Sequence, residues 1–477
     1  MKSTTVEQIY TGCLAQGAYY LESNGEAAII DPLREVQQYI NLADSRGAKI
    51  KYIFETHFHA DFVSGHVDLS RKTGAPIIYG PTTMKTGFDS ISATDGQEFA
   101  LGNATIRVLH TPGHTMESSC YLLIDEQGKP TSLFTGDTLF IGDVGRPDLA
   151  QHVVADLTEE KLAAHLYDSL RNKIMTLPDD LIVYPAHGAG SACGKNLSKE
   201  TSDTLGNQKK TNYALRPGLS KDDFIKELLS GLTPPPGYFP KNVLMNIQGY
   251  DSIDDVVSRG KQKLSIDDFE QLRQQQDVLV LDVRSAAEFA KGFIPGSINI
   301  GIDGGFAVWV GTLIKNINQK ILLVSPHGRE EETVIRLARV GYDHAIGCLD
   351  GGFETWKKAG KAVEVIHTVS VEEFAREAQL NPSINILDVR KKSEHDSEHI
   401  LGAMNAPLDY FDDSLKIIDQ NKTYYVHCAG GYRSMIFTSL ARSRGYKNLI
   451  DVEGGFKAIK ESKAFPISDY VCPSTML

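Results

Sequence analysis

From Val6 to about Asp203, short apolar runs alternate with stretches rich in Gly, Pro, Asp and Thr. The runs at residues 26–31, 51–55, 104–110 and 120–124 have the length and the β-branched or aromatic content of buried strands. Residues 34–46 and 158–176 instead space their apolar positions as a helix does. A further helix is predicted over residues 220–232, capped by Ser220, with Asp222 and Asp223 in a first turn whose dipole favours carboxylates. Residues 233–240, Thr-Pro-Pro-Pro-Gly-Tyr-Phe-Pro, fit neither helix nor sheet interior, because proline removes backbone donors. They mark the end of a first domain, 1–240, followed by a mostly helical connector, 241–263.

The remainder contains a diverged repeat. Leu281-Asp282-Val283-Arg284 with Glu288, then Ile294-Pro295-Gly296-Ser297-Ile298-Asn299, is answered by Leu387-Asp388-Val389-Arg390 with Glu394, then Ile400-Leu401-Gly402-Ala403-Met404-Asn405. Gly351-Gly352-Phe353 is answered by Gly454-Gly455-Phe456. Two copies of one fold are therefore expected at 264–365 and 366–477. Each alternates strand and helix, the pattern of a parallel sheet covered on both faces.

Composition narrows the function. A chain of 477 residues is too long for one core and suggests about three domains. Hydrophobic content of 41% and charged content of 23% are those of an ordinary globular protein, and no uncharged apolar run reaches the ~18 residues a membrane span needs. The net charge of −12 repels polyanions, so nucleic acid is not an expected partner. Residues 1–7 lack the apolar core of a signal peptide, and a cytoplasmic location is expected. The six cysteines are too scattered for a disulfide framework.

Candidate chemistry starts at Thr56-His57-Phe58-His59-Ala60-Asp61-Phe62, in the loop after the predicted strand 51–55. Two imidazoles and a carboxylate delivered by one loop are a metal-binding pattern. Thr111-Pro112-Gly113-His114-Thr115, Thr135-Gly136-Asp137-Thr138 and Tyr184-Pro185-Ala186-His187-Gly188 each end a short apolar strand in a further His or Asp. Order and spacing resemble the metallo-β-lactamase superfamily, which implies an αββα sandwich for the first domain. One position departs: the family reads His-x-His-x-Asp-His, and Phe62 stands where the last His belongs.

In binuclear hydrolases of that superfamily, one metal takes the residues matching His57, His59 and His114. The second takes those matching Asp61, the missing His and His187, with Asp137 bridging. Phe62 offers no lone pair, so a mononuclear centre is expected. The branch with one metal is the persulfide dioxygenase group, and that resemblance implies one Fe(II) held by His57, His114 and Asp137, with open positions for substrate sulfur and O2. His59, Asp61 and His187 become groups that orient ligands or move protons. Arg146 matches the arginine that holds the carboxylate of glutathione in relatives, a role suited to its planar fork. After His187, however, the chain reads Gly-Ala-Gly-Ser-Ala-Cys193 where glutathione-using relatives have Asp-Tyr, which leaves coenzyme A, bacillithiol, glutathione and cysteine persulfides open. Cys193 is a candidate persulfide carrier at the pocket rim; Lys209 and Lys210 are further candidate anion contacts.

The two C-terminal copies resemble rhodanese domains. In the second, the apolar run 423–427 leads into Cys428-Ala429-Gly430-Gly431-Tyr432-Arg433 and a helix expected from Ser434. A thiolate there faces loop N–H groups and the positive helix end; Gly430 and Gly431 let the backbone curl round it, and Arg433 adds positive charge. The first copy has Ser325-Pro326-His327-Gly328-Arg329-Glu330-Glu331-Glu332 instead, with no cysteine and three carboxylates, and is expected to be inactive.

Taken whole, the chain resembles fused persulfide dioxygenase–rhodanese proteins of sulfide detoxification. The resemblance implies oxidation of a thiol persulfide by O2 to sulfite, followed by sulfur transfer through Cys428 giving thiosulfate, in a homo-oligomer without membrane or nucleic-acid partners. Two other classes remain open: a zinc thioester hydrolase of the glyoxalase II type, and a sulfur-relay protein without oxygen chemistry.

Overall fold

The computed structural model describes residues 4–149, 157–195, 197–232 and 234–472. They fall into two compact units, Met1–Ile253 with Ala338–Gly341, and Asp254–Leu337 with Tyr342–Leu477.

The first unit is the expected sandwich. One six-stranded sheet runs in chain order: β1 (Thr5–Thr11), β2 (Gln16–Ser23), β3 (Glu26–Ile30), β4 (Lys49–Phe54), β5 (Ile77–Tyr79) and β6 (Ser90–Ser92). The other, also six-stranded, comprises β7 (Glu98–Leu101), β8 (Ala104–His110), β9 (Ser119–Ile124), β10 (Pro130–Gly136), β11 (Ile182–Pro185) and β12 (Asp203–Thr204). Alternation divides β9 between two cores. Tyr121 and Leu123 join Tyr19, Ile30, Phe54 and Phe134 between the sheets, while Cys120, Leu122 and Ile124 join Leu166, Leu170 and Phe224 beneath the outer helices. All of β9 is buried, which is why it reads as an unbroken apolar run.

Helices form where apolar spacing places them, with local differences. The helix expected at 34–46 begins at Gln37, because Arg34 is drawn inside, its guanidinium 4.5 Å over the Tyr250 ring. The one expected at 158–176 starts as α-helix Glu159–Ser169, capped by Thr158 accepting from the Lys161 N–H, and continues as a π turn, Leu170–Ile174. Ser220 caps Lys221–Leu229 as expected, accepting from the Asp223 N–H. The expectation that 233–240 holds no helix needs correction. Helix Phe239–Gln248 has Pro240 in its first turn, where a missing N–H breaks no bond; Thr233 lies outside the described residues. This helix, in the stretch read as connector, belongs to the first unit.

The second unit shows the repeat directly. The first copy has β13 (Lys263–Leu264), β14 (Val278–Asp282), β15 (Ile298–Asn299), β16 (Lys320–Val324) and β17 (Ala345–Leu349), arranged β13-β17-β16-β14-β15. The second has β18 (Thr368–Val369), β19 (Asn385–Asp388), β20 (Met404–Asn405), β21 (Tyr424–His427) and β22 (Leu449–Val452), in the same order, β18-β22-β21-β19-β20. Every pairing in both sheets is parallel. The repeated motifs do the same job twice. Arg284 pairs with Asp282 and lies 4.1 Å over Phe353, as Arg390 pairs with Asp388 and lies 3.9 Å over Phe456. The copies also pack together: Phe289, Ala290 and Phe293 of the first share a cluster with Met435 of the second, and the Asn299 N–H donates to Ser439 Oγ at 2.9 Å.

Candidate functional site

Three loops at strand ends bring His57, His114 and Asp137 together, all buried, with one ligand atom from each within 4.8 Å of the others. Two glycines permit the approach. Gly136 has φ +52°, and a Cβ there would lie 2.6 Å from the Thr56 side chain; a Cβ on Gly145 would lie 2.0 Å from the Asp137 carbonyl oxygen.

The tautomers follow from the partners. The Thr56 hydroxyl donates to Asp31 Oδ2 at 2.9 Å, so the 3.0 Å contact between Thr56 Oγ1 and His57 Nδ1 has the imidazole as donor. His114 Nδ1 lies 2.7 Å from the Arg146 carbonyl oxygen, which can only accept. Both rings therefore present bare Nε2 atoms, and these face Asp137 Oδ2 at 3.8 and 3.4 Å. That oxygen is buried without a hydrogen-bond partner. Donor atoms sharing an ion at about 2.1 Å lie roughly 3.0–3.4 Å apart, so His114 and Asp137 already stand at that spacing and His57 would close in by about 0.4 Å for the three to share a single cation, which would also satisfy Asp137 Oδ2.

The neighbouring groups divide into two sets. His187 Nδ1 donates to Asp137 Oδ1 at 2.8 Å, while its Nε2 lies 2.8 Å from Asp61 Oδ2. Burial works against a charge on His187, but the Asp137 and Asp61 carboxylates outweigh it and hold the imidazolium well above its usual range. On Asp137 burial is likewise overridden, by His187, then His57 and His114, which keep the carboxyl ionised far below the usual range. Cys193 completes a second cluster with Asp61 and His187. It is 1% exposed, away from the pocket rim where it was expected, and burial together with Asp61 and Asp137 pushes its thiol well up, against a role as an exposed thiolate carrier. His59 turns the other way: its Nε2 lies 3.1 Å from Asp31 Oδ1 and 3.5 Å from Glu55 Oε2. Phe62 fills the space beside it, ring centroids 4.3 Å apart.

Arg146 does not present its fork to solvent. It pairs with both carboxylate oxygens of Asp148, at 2.6 and 2.5 Å, and donates to the Ala192 carbonyl, so the fork expected to clamp a substrate carboxylate is already engaged by the chain's own. Lys209 is likewise engaged, by the Leu177 carbonyl and Asp179. One group was missed: Asn246 donates to the His59 and Phe62 carbonyls at 2.8 Å and accepts from the Ser64 N–H, clamping the ligand loop. Nothing in the sequence flags an asparagine so far along the chain. Beside His114 opens a cavity of about 410 Å³.

In the second unit, Cys428 follows β21 and is 1% exposed, with the Gly431 N–H donating to its Sγ at 3.1 Å. Gly431, at φ +101°, ends the loop, and helix Tyr432–Ser443 starts two residues earlier than expected. Gly430 has open space where a Cβ would be. Arg433 is held by Glu394 through two hydrogen bonds, at 2.6 and 2.8 Å, so the charge expected to face the sulfur donor is already paired. Tyr432, unmarked in the sequence, reaches the first copy. Its hydroxyl donates to the Gly301 carbonyl at 2.7 Å, and a Cβ on Gly304 would lie 2.3 Å from its ring. In the first copy Ser325 stands at the corresponding strand end, after β16.

Fold and site together define a metal-binding αββα sandwich followed by two rhodanese-type α/β domains. The chain belongs to the metallo-beta-lactamase superfamily, whose pattern matches residues 11–187, and it carries rhodanese-like domains at 265–359 and 370–462. Among solved structures it is similar to a metallo-beta-lactamase from Staphylococcus aureus COL, with 32% identity and a TM-score of 0.64, covering 73% of this chain and 99% of that one. Among curated proteins it is similar to a hydroxyacylglutathione hydrolase of Rhizobium etli, 35% identical over 34% of this chain, and to the cytoplasmic one of Arabidopsis thaliana, 31% identical over 37%. It spans 57% and 65% of the length of those two relatives. Among the described residues no helix is long and apolar enough to cross a membrane.

Proposed function

We propose that this chain oxidises a thiol persulfide with O2 at a mononuclear iron centre and passes sulfane sulfur through Cys428. The observation that carries the reading is the triad of His57, His114 and Asp137, two bare Nε2 atoms and one unpartnered carboxylate oxygen, beside a site where Phe62 contributes no ligand. Fe(II) bound there would bring persulfide sulfur and O2 together at its open positions. Persulfide, O2 and water then give thiol, sulfite and two protons.

The chain's own contribution is orientation. The Arg146 carbonyl and Thr56 hydroxyl fix the two imidazoles, His187 fixes the carboxylate, and Asn246 fixes the loop. At the second site Cys428 takes the terminal sulfur of a further persulfide, releasing thiol, and yields that sulfur to sulfite as thiosulfate, which regenerates the thiolate. The Gly431 N–H stabilises sulfur anions on both sides of the exchange.

The hydroxyacylglutathione hydrolase relatives, with the Asp61, His187 and Cys193 cluster as a second donor set, favour a thioester hydrolase as the alternative. One experiment separates the two: oxygen uptake by Fe(II)-loaded protein given persulfide, beside thioester hydrolysis by the zinc-loaded form. We expect uptake with thiosulfate formed. His114→Ala should abolish uptake and retain sulfur transfer from thiosulfate to cyanide, whereas Cys428→Ser should do the reverse and let sulfite accumulate. Thioester turnover without oxygen uptake would replace the dioxygenase with the hydrolase.

A further inference from the structure

We propose that Glu394 is a specificity-determining residue of the Cys428 loop: by matching the Arg433 charge, it disfavours doubly charged sulfur donors such as thiosulfate against singly charged ones such as a persulfide group. The inference deepens the sulfur-transfer half of the proposed function and stands apart from its oxygen chemistry.

Arg433 lies five residues beyond Cys428, in the first turn of helix Tyr432–Ser443. Glu394 sits in the first turn of another helix, Lys392–Ser397, where it accepts the Lys391 N–H at 3.2 Å. Fixed in that way, its carboxylate meets both terminal nitrogens of Arg433, Nη1 at 2.6 Å and Nη2 at 2.8 Å. The two side chains are 17% and 34% exposed, so water screens the pair only in part. Asp409 adds a second negative charge within electrostatic reach of Arg433, and Lys391 lies 3.8 Å from it. The guanidinium charge is thus matched before any donor arrives, while the Gly431 N–H, a neutral donor, still points at Sγ. Only the copy with the nucleophile builds this pair. In the first copy Glu288, the counterpart of Glu394, bonds to Ser285, and Glu330 follows Ser325 at the distance at which Arg433 follows Cys428.

Such a pair sorts donors by charge. Thiosulfate carries two negative charges past Glu394 and Asp409, whereas the persulfide group carries one, and like charge weighs more heavily on the dianion. Thiosulfate, the product in the proposed direction, is then weakly held and leaves, and transfer in reverse is slowed. Sulfite gains no hold from the pair either, so it must be supplied at high local concentration, as covalent linkage to its source provides.

The test compares thiosulfate with methanethiosulfonate, a donor of similar shape with one charge fewer, in sulfur transfer to cyanide by the full-length protein. With either donor, Cys428 Sγ bonds to the sulfane sulfur and sulfite or methanesulfinate leaves with the electron pair. Cyanide then takes that sulfur as thiocyanate and restores the thiolate. Glu394→Gln keeps an acceptor for the Lys391 N–H and leaves the Arg433 charge unmatched. We expect it to raise the ratio of kcat/KM for thiosulfate over methanethiosulfonate at least about fivefold, chiefly through a lower KM for thiosulfate. Glu394→Gln combined with Arg433→Gln leaves neither charge unpaired, which keeps the test open where the single variant folds poorly, and should return the ratio to within about twofold of the unaltered protein. A merely structural role for Glu394 would slow both donors alike. A ratio unmoved or lowered by Glu394→Gln, or one far below the starting value in the double variant, would overturn the inference. No transfer from either donor by the unaltered protein would remove the sulfurtransferase reading along with it, whereas a failure of oxygen uptake bears on neither.

Discussion

A single oxygen atom, Asp137 Oδ2, concentrates the chemistry of the first unit. It is buried, it has no donor, and two bare imidazole nitrogens face it, while its sister oxygen is held by His187. Removing that hold loosens the carboxylate without removing a proposed ligand. His187→Gln should therefore weaken iron retention ~10–100-fold in a chelator competition, and unchanged retention would show that Asp137 needs no orienting partner. The candidate ligands and His187 were legible, because His and Asp stand at strand ends; the surroundings of His59 were not, since Asp31 and Glu55 become its neighbours only through folding. A second residue sets a pH dependence. Burial pushes the Asp451 carboxyl up to about 7, with a bond from Ser434 offsetting only part of the effect. The folded chain keeps that proton where the unfolded chain, with a carboxyl near 3.8, has lost it. Stability of the second unit should then fall as pH rises from about 4 to about 7 and level off above. Asp451→Asn should flatten that slope and raise stability at pH 8 by on the order of 4 kcal/mol, read from urea midpoints. An unchanged slope would mean the carboxyl is ionised in the fold.

Elements position these residues by how they end. Strands β4, β8, β10 and β11 each stop close to a His or Asp, and their apolar runs made that visible in the sequence. What stayed hidden was where a helix can begin. Pro240 looked like a barrier and instead occupies the first turn of the helix that carries Asn246 to the ligand loop. In the second unit the corresponding surprise is Tyr432, at the start of the helix after the Cys428 loop, pinned against Gly301 and Gly304. Gly304→Val leaves no room for the ring. It should slow sulfur transfer to cyanide by ~10–100-fold through misplacement of the loop, with oxygen uptake retained; transfer at the normal rate would make the contact incidental to the loop.

At the scale of the whole molecule, one chain joins the candidate metal site and the Cys428 loop in a fixed ratio. Covalent linkage raises the concentration of one site's product at the other. A mixture of His114→Ala and Cys428→Ser chains, each supplying the activity the other lacks, should therefore make thiosulfate more slowly than the same sites on one chain, with sulfite detectable in solution. Equal rates would deny the linkage any kinetic value. The repeat was readable because its motifs serve the same contacts twice, as the Asp-Arg-Phe stacks of both copies show. Its internal dependence was not, since Tyr432 and Gly304 share no pattern. That dependence has a consequence for dissecting the chain. The first copy, with Ser325 where the second has Cys428, is still the seat of Tyr432, so a chain trimmed to the second copy alone leaves that ring without its partner and should transfer sulfur more slowly than the full chain.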